Sequence, residues 1–502
     1  MAVAFNTIPS NLRVPLFYAE INAGQSPYQG PSRLLLVGQK TAGGSAPADA
    51  PIRLDGDPQS LAGAGSMLAE MAIWARQNHP FGEIWLLPIA DPAGDAQTFT
   101  VTIAAGIAGK SGTLVLYVAG EKVQVAVTTS DTNATVATNL AAAINAGYHK
   151  FDRPLTFPVI ATVASNVVTL TARNAGVLGG KIGIDKDLVG DEGPLQQYAT
   201  IAAGAPGTGT PSLSAGFASL GDTEFDWIGA PYADPTSLAA VASLLNATSG
   251  RWSPLQQLYG HYVTSLFDSF GNLASAGSAL NDPSVSVMGV VNSPSPPWRW
   301  ASALAARIAF DKNLGGEVDQ AYRLSQPLQT LELLGIVPPK SRFNWFSIQQ
   351  RNQLYQDGIS GFRVTADGKV LIDRILTTYQ VNSWGQQDIT WLDVETRAQV
   401  VYFTRFMRQR ITQIYGRMAL ASDGAEGRPG IVTPRMLKAE CVIAYKMLEA
   451  GGLVEKSDLF AESLVVERSA DPNRVNAYLP IDVVNQLRVF AANVTTFLEY
   501  AA

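Results

Sequence analysis

Charge is scarce in this chain. Of 502 residues only 16% are charged, while 47% are hydrophobic; an average globular protein carries roughly 25% charge. So little charge implies that much of the surface is covered by other protein in an assembly. The net charge of −6 excludes the basic footprint that direct nucleic-acid binding needs. One cysteine, Cys441, excludes an internal disulfide framework, and its helical, apolar surroundings make it a buried inert thiol. The three histidines, His79, His149 and His261, have no Cys or acidic cluster at metal-ligand spacing, so each reads as structural and no metal site is expected. No run of about 18 uncharged apolar residues offers a membrane span, and no signal-peptide pattern opens the chain. The expectation is a soluble protein folded in a cytoplasm, without membrane or cofactor.

Recognisable chemistry is equally sparse. Gly106-Ile107-Ala108-Gly109-Lys110-Ser111 resembles a phosphate loop, but the motif's first glycine falls on Ala104. It lies between strand-like stretches, so a hairpin turn is expected. Gly204-Ala205-Pro206-Gly207-Thr208-Gly209 lacks dinucleotide spacing and reads as a linker. Gly65-Ser66-Met67 faintly resembles a subtilase serine segment, yet is expected mid-helix, with no histidine in triad order. Arg397, Arg405 and Arg408 share one helical face, read as solvated or salt-bridged. No catalytic residue is assigned.

What the chain does have is two apolar, extended ends. Residues 1–21 include Val14, Leu16 and Tyr18 alternating as one face of a strand, with Pro9 and Pro15 excluding a helix interior. Residues 485–500 include Leu487, Val489 and Phe490, then Val494, Phe497, Leu498 and Tyr500. Chain ends are normally frayed and polar. These either close the protein's own sheets or pair with another chain, and pattern alone leaves both readings open.

The length implies roughly three domains. Leu34-Leu35-Leu36-Val37-Gly38 and Ile84-Trp85-Leu86-Leu87 read as buried parallel strands. Between them Asp57-Pro58 caps one helix through Met67, Leu68, Met71 and Trp74. At Asp91-Pro92 the texture changes: 98–103, 113–118 and 122–127 are Thr/Val-rich strands, 132–146 is a small helix and 167–172 a further strand. Strand–helix alternation resumes at Asp226-Trp227-Ile228-Gly229, with strands at 261–263 and 285–291 and helices after Asp234-Pro235, at 267–280 and at 298–310. This predicts a parallel sheet covered on both faces. The division is therefore an N-terminal arm (1–28), an α/β core (29–90 and 207–340) interrupted by a β-rich module (91–206), an α+β C-terminal domain (341–484) and a C-terminal arm (485–502). In the C-terminal domain, 370–379 is a strand, 394–418 a long helix, and Thr433-Pro434 opens a helix that Gly451-Gly452 ends.

With these parts placed, the chain resembles a contractile phage tail sheath protein of the Mu-like myophage branch. The likeness rests on Phe5-Asn6-Thr7-Ile8-Pro9-Ser10-Asn11-Leu12-Arg13-Val14-Pro15-Leu16-Phe17, on Gly63-Ala64-Gly65-Ser66-Met67-Leu68-Ala69, and on the region from Leu376-Thr377-Thr378-Tyr379 to the end. The resemblance implies a subtilisin-like or doubly wound core without a catalytic triad. It implies partners too: other copies in a six-fold helical lattice, a tail tube protein, and baseplate and tail terminator proteins. The protein would be located in the virion tail, and in the host cytoplasm during assembly. It further implies that the arms are donated strands received by an acceptor strand at Val370, Ile372 and Ile375. A polar helix then faces the tube through Arg435, Lys438, Lys446 and Glu449, opposite Met436, Cys441, Ile443, Met447 and Leu448; an ordinary amphipathic surface helix is the plain alternative. The other function classes are a different self-assembling virion protein (tube, capsid or adhesin subunit) and an α/β hydrolase.

Overall fold

A computed structural model describes residues 32–188, 190 and 192–496. The N-terminal arm with Val14, Leu16 and Tyr18, and the last arm positions Phe497, Leu498 and Tyr500, lie outside the described residues.

The chain enters through β1 (Arg33–Gln39), in which Leu34, Leu35, Leu36 and Val37 are all fully buried, as a strand covered on both faces requires. A two-residue strand β2 (Ile52–Arg53) follows. The single helix expected after Asp57 is two helices: α1 (Pro58–Ala62), capped by Asp57, and α2 (Met67–Asn78), capped by the Ser66 side chain. Ser66 is therefore a cap, not a mid-helix residue. The break is forced by Gly63 and Gly65, both at positive φ. A Cβ on Gly65 would stand 2.4 Å from the Phe157 carbonyl oxygen, so glycine there lets the inserted module approach. β3 (Glu83–Ile89) then pairs parallel with β1 along its full length.

The module begins with β4 (Thr98–Ile103), β5 (Gly112–Val118) and β6 (Glu121–Val127), the last two joined by a tight Ala119-Gly120 turn. The hairpin expected at 106–111 is not one. β4 and β5 belong to different sheets, and a short 3₁₀ turn with Ile107 buried connects them. Next come α3 (Asn133–Ala146), β7 (Tyr148–Lys150), β8 (Arg153–Leu155), β9 (Val159–Ala164), β10 (Val167–Ala172), β11 (Ile184–Asp185) and β12 (Ala199–Ala203). They form sheets ordered β12-β4-β10-β9, β11-β5-β6 and β7-β8. Among the described residues no module strand joins the core sheet. The outgoing and returning chains lie side by side, Gly204 N–H bonding Thr98 O at 2.9 Å and Thr208 N–H bonding Asp95 O at 3.0 Å. A buried arginine seats the module. Arg299 makes paired bonds to Glu70 of α2 at 2.7 and 3.1 Å, lies 3.8 Å above the Trp74 ring, and bonds Ala119 O at 2.7 Å and Glu121 at 3.2 Å.

Past the module, α4 (Ser214–Ala218) leads into β13 (Trp227–Gly229), α5 (Pro235–Leu244), β14 (His261–Phe267), α6 (Phe270–Ser278), β15 (Val285–Val290), α7 (Pro297–Asp311), α8 (Tyr322–Ser325), α9 (Ile348–Gln356), β16 (Ile359–Val364) and β17 (Val370–Arg374). The eight-stranded sheet runs β17-β16-β15-β14-β13-β1-β3-β2. Its six middle strands are parallel, and the order reverses at β1, as in a doubly wound fold. α2 and α7 pack together on one face, with α6 and α9 on the other. This corrects the domain division. β16 pairs with β15 and β17 with β16, so the core sheet extends to Arg374, past the boundary drawn at 340.

The remainder holds α10 (Val394–Tyr415), the short strands β18 (Ala419–Leu420) and β19 (Ile431–Val432), α11 (Pro434–Ala450), α12 (Ser457–Ser463), and the hairpin β20 (Val465–Arg468) and β21 (Val475–Tyr478). Its arginines bind it to the core. Arg405, 1% exposed, sits 2.7 Å from Asp226, also 1% exposed, and 3.2 Å from Glu224. Arg397 lies 3.5 Å over Trp252 and 5.0 Å from Trp391 and donates to Ser284 at 3.0 Å; burial pulls its pKa down to about 9. Of the two readings of this face, solvated or salt-bridged, the second holds for Arg405 and Arg408, and Arg397 and Arg405 are buried as well. Breaking a buried pair by removing one partner costs about 3–5 kcal/mol. Arg405→Ala should lower the unfolding free energy read from urea titration by that order, and adding Asp226→Asn should recover part of the loss.

His261 lies under this junction, fully buried beside Trp227, with Nε2 2.8 Å from Ser286 Oγ. Burial, then the charge of Arg397, holds its pKa down at about 3, and burial with Arg76 holds His79 at about 4. A base depressed in the native state protonates first in the unfolded chain. Stability is therefore full above about pH 6.5 and falls as pH drops towards 4 and 3. The slope approaches about 1.4 kcal/mol per pH unit per histidine. His261→Gln should remove close to one proton from the slope of stability against pH between 6 and 4, read from denaturant titrations.

Candidate functional site

The groups that chemistry would need are present but buried or already engaged. The His261–Ser286 contact has hydrolase spacing, yet His261 Nδ1 has no partner, so nothing orients the ring as a triad requires. His261 is 3% and Ser286 0% exposed, so no substrate reaches them. The Ser66 hydroxyl accepts the Ala69 N–H at 3.1 Å. Among the described residues no cluster of His, Cys, Asp or Glu could hold a metal ion.

The distinctive geometry lies at the end of the chain. Segment 482–488 is fastened down: Glu455 N–H bonds Asp482 O, Val484 N–H bonds Leu453 O, and Gln399 donates to Val484 O at 2.8 Å. The last fastening is Arg488, which reaches Asp393 at 3.0 Å and Glu395 at 2.9 Å. Arg374, at the end of β17, holds the same Asp393 with two bonds, at 2.9 and 2.8 Å. The root of the arm is thus tied both to the start of α10 and to the core sheet. Beyond it the chain leaves the body. Val489 is 80%, Phe490 84% and Val494 85% exposed. Leu487–Phe490, weighed as a strand paired within the subunit, is instead irregular chain held by the arginine side chain. A lone basic residue inside an apolar strip was the available signal for this anchor.

An apolar extended segment calls for a receiving edge. The expected acceptor, Val370, Ile372 and Ile375, is fully or almost fully buried, and β17 has both sides engaged. β16 pairs one side. On the other, Thr330 N–H bonds Ile372 O, Ile372 N–H bonds Leu331 O, and Leu333 N–H bonds Val370 O, each at 2.8 or 2.9 Å. That strand has no free edge, which corrects the expectation. The hairpin β20/β21 is different. It has four residue pairs and no third strand among the described residues, and it exposes Val465 by 49% and Tyr478 by 63%. Its inner side packs on α11, with Val466 against the core, so what the hairpin leaves open is its two outer edges.

On α11 the buried face is Cys441, Ala444, Tyr445 and Leu448. Arg435 and Lys446 are exposed and Lys438 half-buried. Two assignments change. Ile443, placed on the apolar face, is 41% exposed, because Tyr445 rather than Ile443 turns inward to stack on Phe460. Glu449 accepts the Ser457 N–H at 2.9 Å and so caps α12.

The chain matches two family descriptions, "Phage tail sheath protein central domain" over residues 207–378 and "Phage tail sheath C-terminal domain" over residues 386–497. The first ends just past β17, in keeping with the core sheet's extent. The chain is also 35% identical, over 98% of its length and 99% of the relative's, to the Mu-like prophage FluMu tail sheath protein of Haemophilus influenzae. Among solved structures, a sheath tail protein of Desulfitobacterium hafniense is 14% identical with a TM-score of 0.49, covering 94% of this chain and 97% of that one. One of Listeria innocua is 12% identical with a TM-score of 0.46, covering 92% and 93%. The enzyme, tube, capsid and adhesin alternatives give way, and the chain belongs to the phage tail sheath proteins, a structural family.

Proposed function

We propose that this sheath protein assembles by exchanging backbone strands between subunits, in stacked six-fold rings around a rigid tail tube. Triggered at the baseplate, the lattice becomes shorter and wider and drives the tube through the host envelope. The observation that carries this reading is the exposed apolar segment 489–496 leaving the Arg488 clamp, in a chain whose hairpin β20/β21 has open outer edges among the described residues. In this reading the N-terminal segment supplies the second donated strand. Each backbone hydrogen bond contributes only about 0.5–1.5 kcal/mol net. A few per arm, repeated over a tail, tether subunits while their cores slide between two packings, since packed interfaces are bistable rather than continuously deformable. The partners are other copies of this chain, the tail tube protein, and baseplate and tail terminator proteins. Assembly takes place in the host cytoplasm and needs no cofactor. The module at 91–206 lies on the outside of the tail, where its separate sheets leave the lattice unobstructed.

Truncation separates folding from assembly. Chains lacking 1–21, or ending at Asn493, should keep a near-native circular dichroism spectrum yet form no tubes in electron micrographs. Ending the chain at Asn485 also removes Arg488 and leaves Asp393 and Glu395 without it, so that variant should melt at a lower temperature as well. Tubes from the chain lacking 1–21 would contradict donation by the N-terminus. In reconstructions of the wild-type sheath the module should lie at the largest radius; module density against the tube would reverse its placement.

The face of α11 with Arg435, Lys438 and Lys446 is the part turned to the tube; Glu449 is excluded by its capping role. Lys438→Glu with Lys446→Glu should prevent assembly on tail tubes while hollow sheath tubes still form. Loss of both forms would place these lysines in folding or lattice contacts instead.

A further inference from the structure

On the face of the core sheet opposite α2 and α7, α5 and α6 stand apart over β14 and β15. They leave an open groove of about 730 Å³. Leu238 and Ala242 line one wall, Ala276 and Leu280 the other, and Leu266 and Val287 the floor. A crossover helix normally closes such a gap, because an apolar sheet face must be buried. Here nothing among the described residues does so. Three carboxylates, Asp234, Asp268 and Asp282, and one ammonium, Lys181 beside Asp268, stand at the rim, which is acidic on balance. The volume is in the range that encloses a compact apolar ligand.

We infer that before assembly this groove holds residues 14–21 of the same chain, Val14-Pro15-Leu16-Phe17-Tyr18-Ala19-Glu20-Ile21. The length of chain before the described residues and the place where they begin support this occupant. The described chain begins at Ser32, just before β1, at the edge where the parallel strands start. The groove mouth at Asp282 and Val285 lies at that same edge, three strand positions away, or about 14 Å at the usual spacing. Residues 22–31 reach roughly 33 Å when extended, more than enough to cross. The eight residues that follow span about 26 Å, comparable with the length of the seven-residue β14. Composition agrees. Val14, Leu16, Phe17, Tyr18 and Ile21 match an apolar groove, and Arg13 arrives at a rim of carboxylates. Pro15 removes a backbone donor that a ladder strand would use, whereas side-chain docking in a groove does not need it.

The consequence is a self-cover. The segment that the assembly reading assigns to a neighbour is parked on its own subunit, and polymerisation begins when it leaves. Only that last step rests on the strand-exchange reading.

The test uses the chain lacking 1–21 and a synthetic peptide of residues 12–21, with hydrogen exchange of the complex. Binding that slows exchange at least tenfold at 238–242, 264–267 and 276–280 supports the groove. In that case a peptide with Leu16→Ser and Phe17→Ser should lose binding by tenfold or more, and one with Arg13→Glu by several-fold. Protection confined to 465–478 overturns the groove while leaving strand exchange standing, as does the absence of any binding when the truncated chain still fails to form tubes. Failure of strand exchange is read separately, from tubes formed by the chain lacking 1–21.

Discussion

A strand edge is the one polar surface that another chain can complete with its own backbone, and the distribution of edges governs this structure. The large sheet closes its own. On one side β2 is only two residues long; on the other, β17 is covered by the backbone of residues 330–333. Its six central parallel strands carry helices on both faces, apart from the groove left between α5 and α6 over β14 and β15. The small hairpin β20/β21 has open outer edges among the described residues, and residues 489–496 run out from the body as an exposed apolar strip. Both the hairpin's outer edges and the exposed strip lie off the core sheet, which is where the proposed strand exchange needs its acceptor and donor.

Three arginines, Arg299 and Arg405 buried and Arg488 half-buried, fix the parts to one another, each at a different junction. Arg299 joins α7 to α2 and the module, Arg405 joins α10 to the core before β13, and Arg488 joins the arm root to α10. Buried ion pairs add little net stability compared with apolar packing, but breaking one is costly. Such contacts therefore act as registration points. They keep module, core, C-terminal domain and arm root in one arrangement.

Much of this fold was legible because its signals are local. The runs at Leu34–Val37 and Ile84–Leu87 are continuous and apolar, and Asp57, Asp234 and Thr433 each cap the helix they announce. The module's alternating strands were equally readable. What failed was non-local. Nothing in the sequence near 359–374 says that these strands join a sheet whose previous strand ended at Val290, or that residues 330–333 seal the last edge. Ser66 was misplaced because a helical apolar pattern runs through the Gly63–Gly65 break. On α11, helical arithmetic put Ile443 inward and left Glu449 free. The actual inward face is set by where Tyr445 stacks and by the need of Ser457 for a capping partner.

The central claim is that subunits are tied by backbone pairing at β20/β21, and a helical reconstruction of the assembled sheath at side-chain resolution tests it most directly. The account predicts two additional strands flanking Val465–Arg468 and Val475–Tyr478, each continuous with a terminus of a different neighbouring subunit. A hairpin whose outer edges face solvent in the lattice, with the termini folded back on their own subunit, would contradict it.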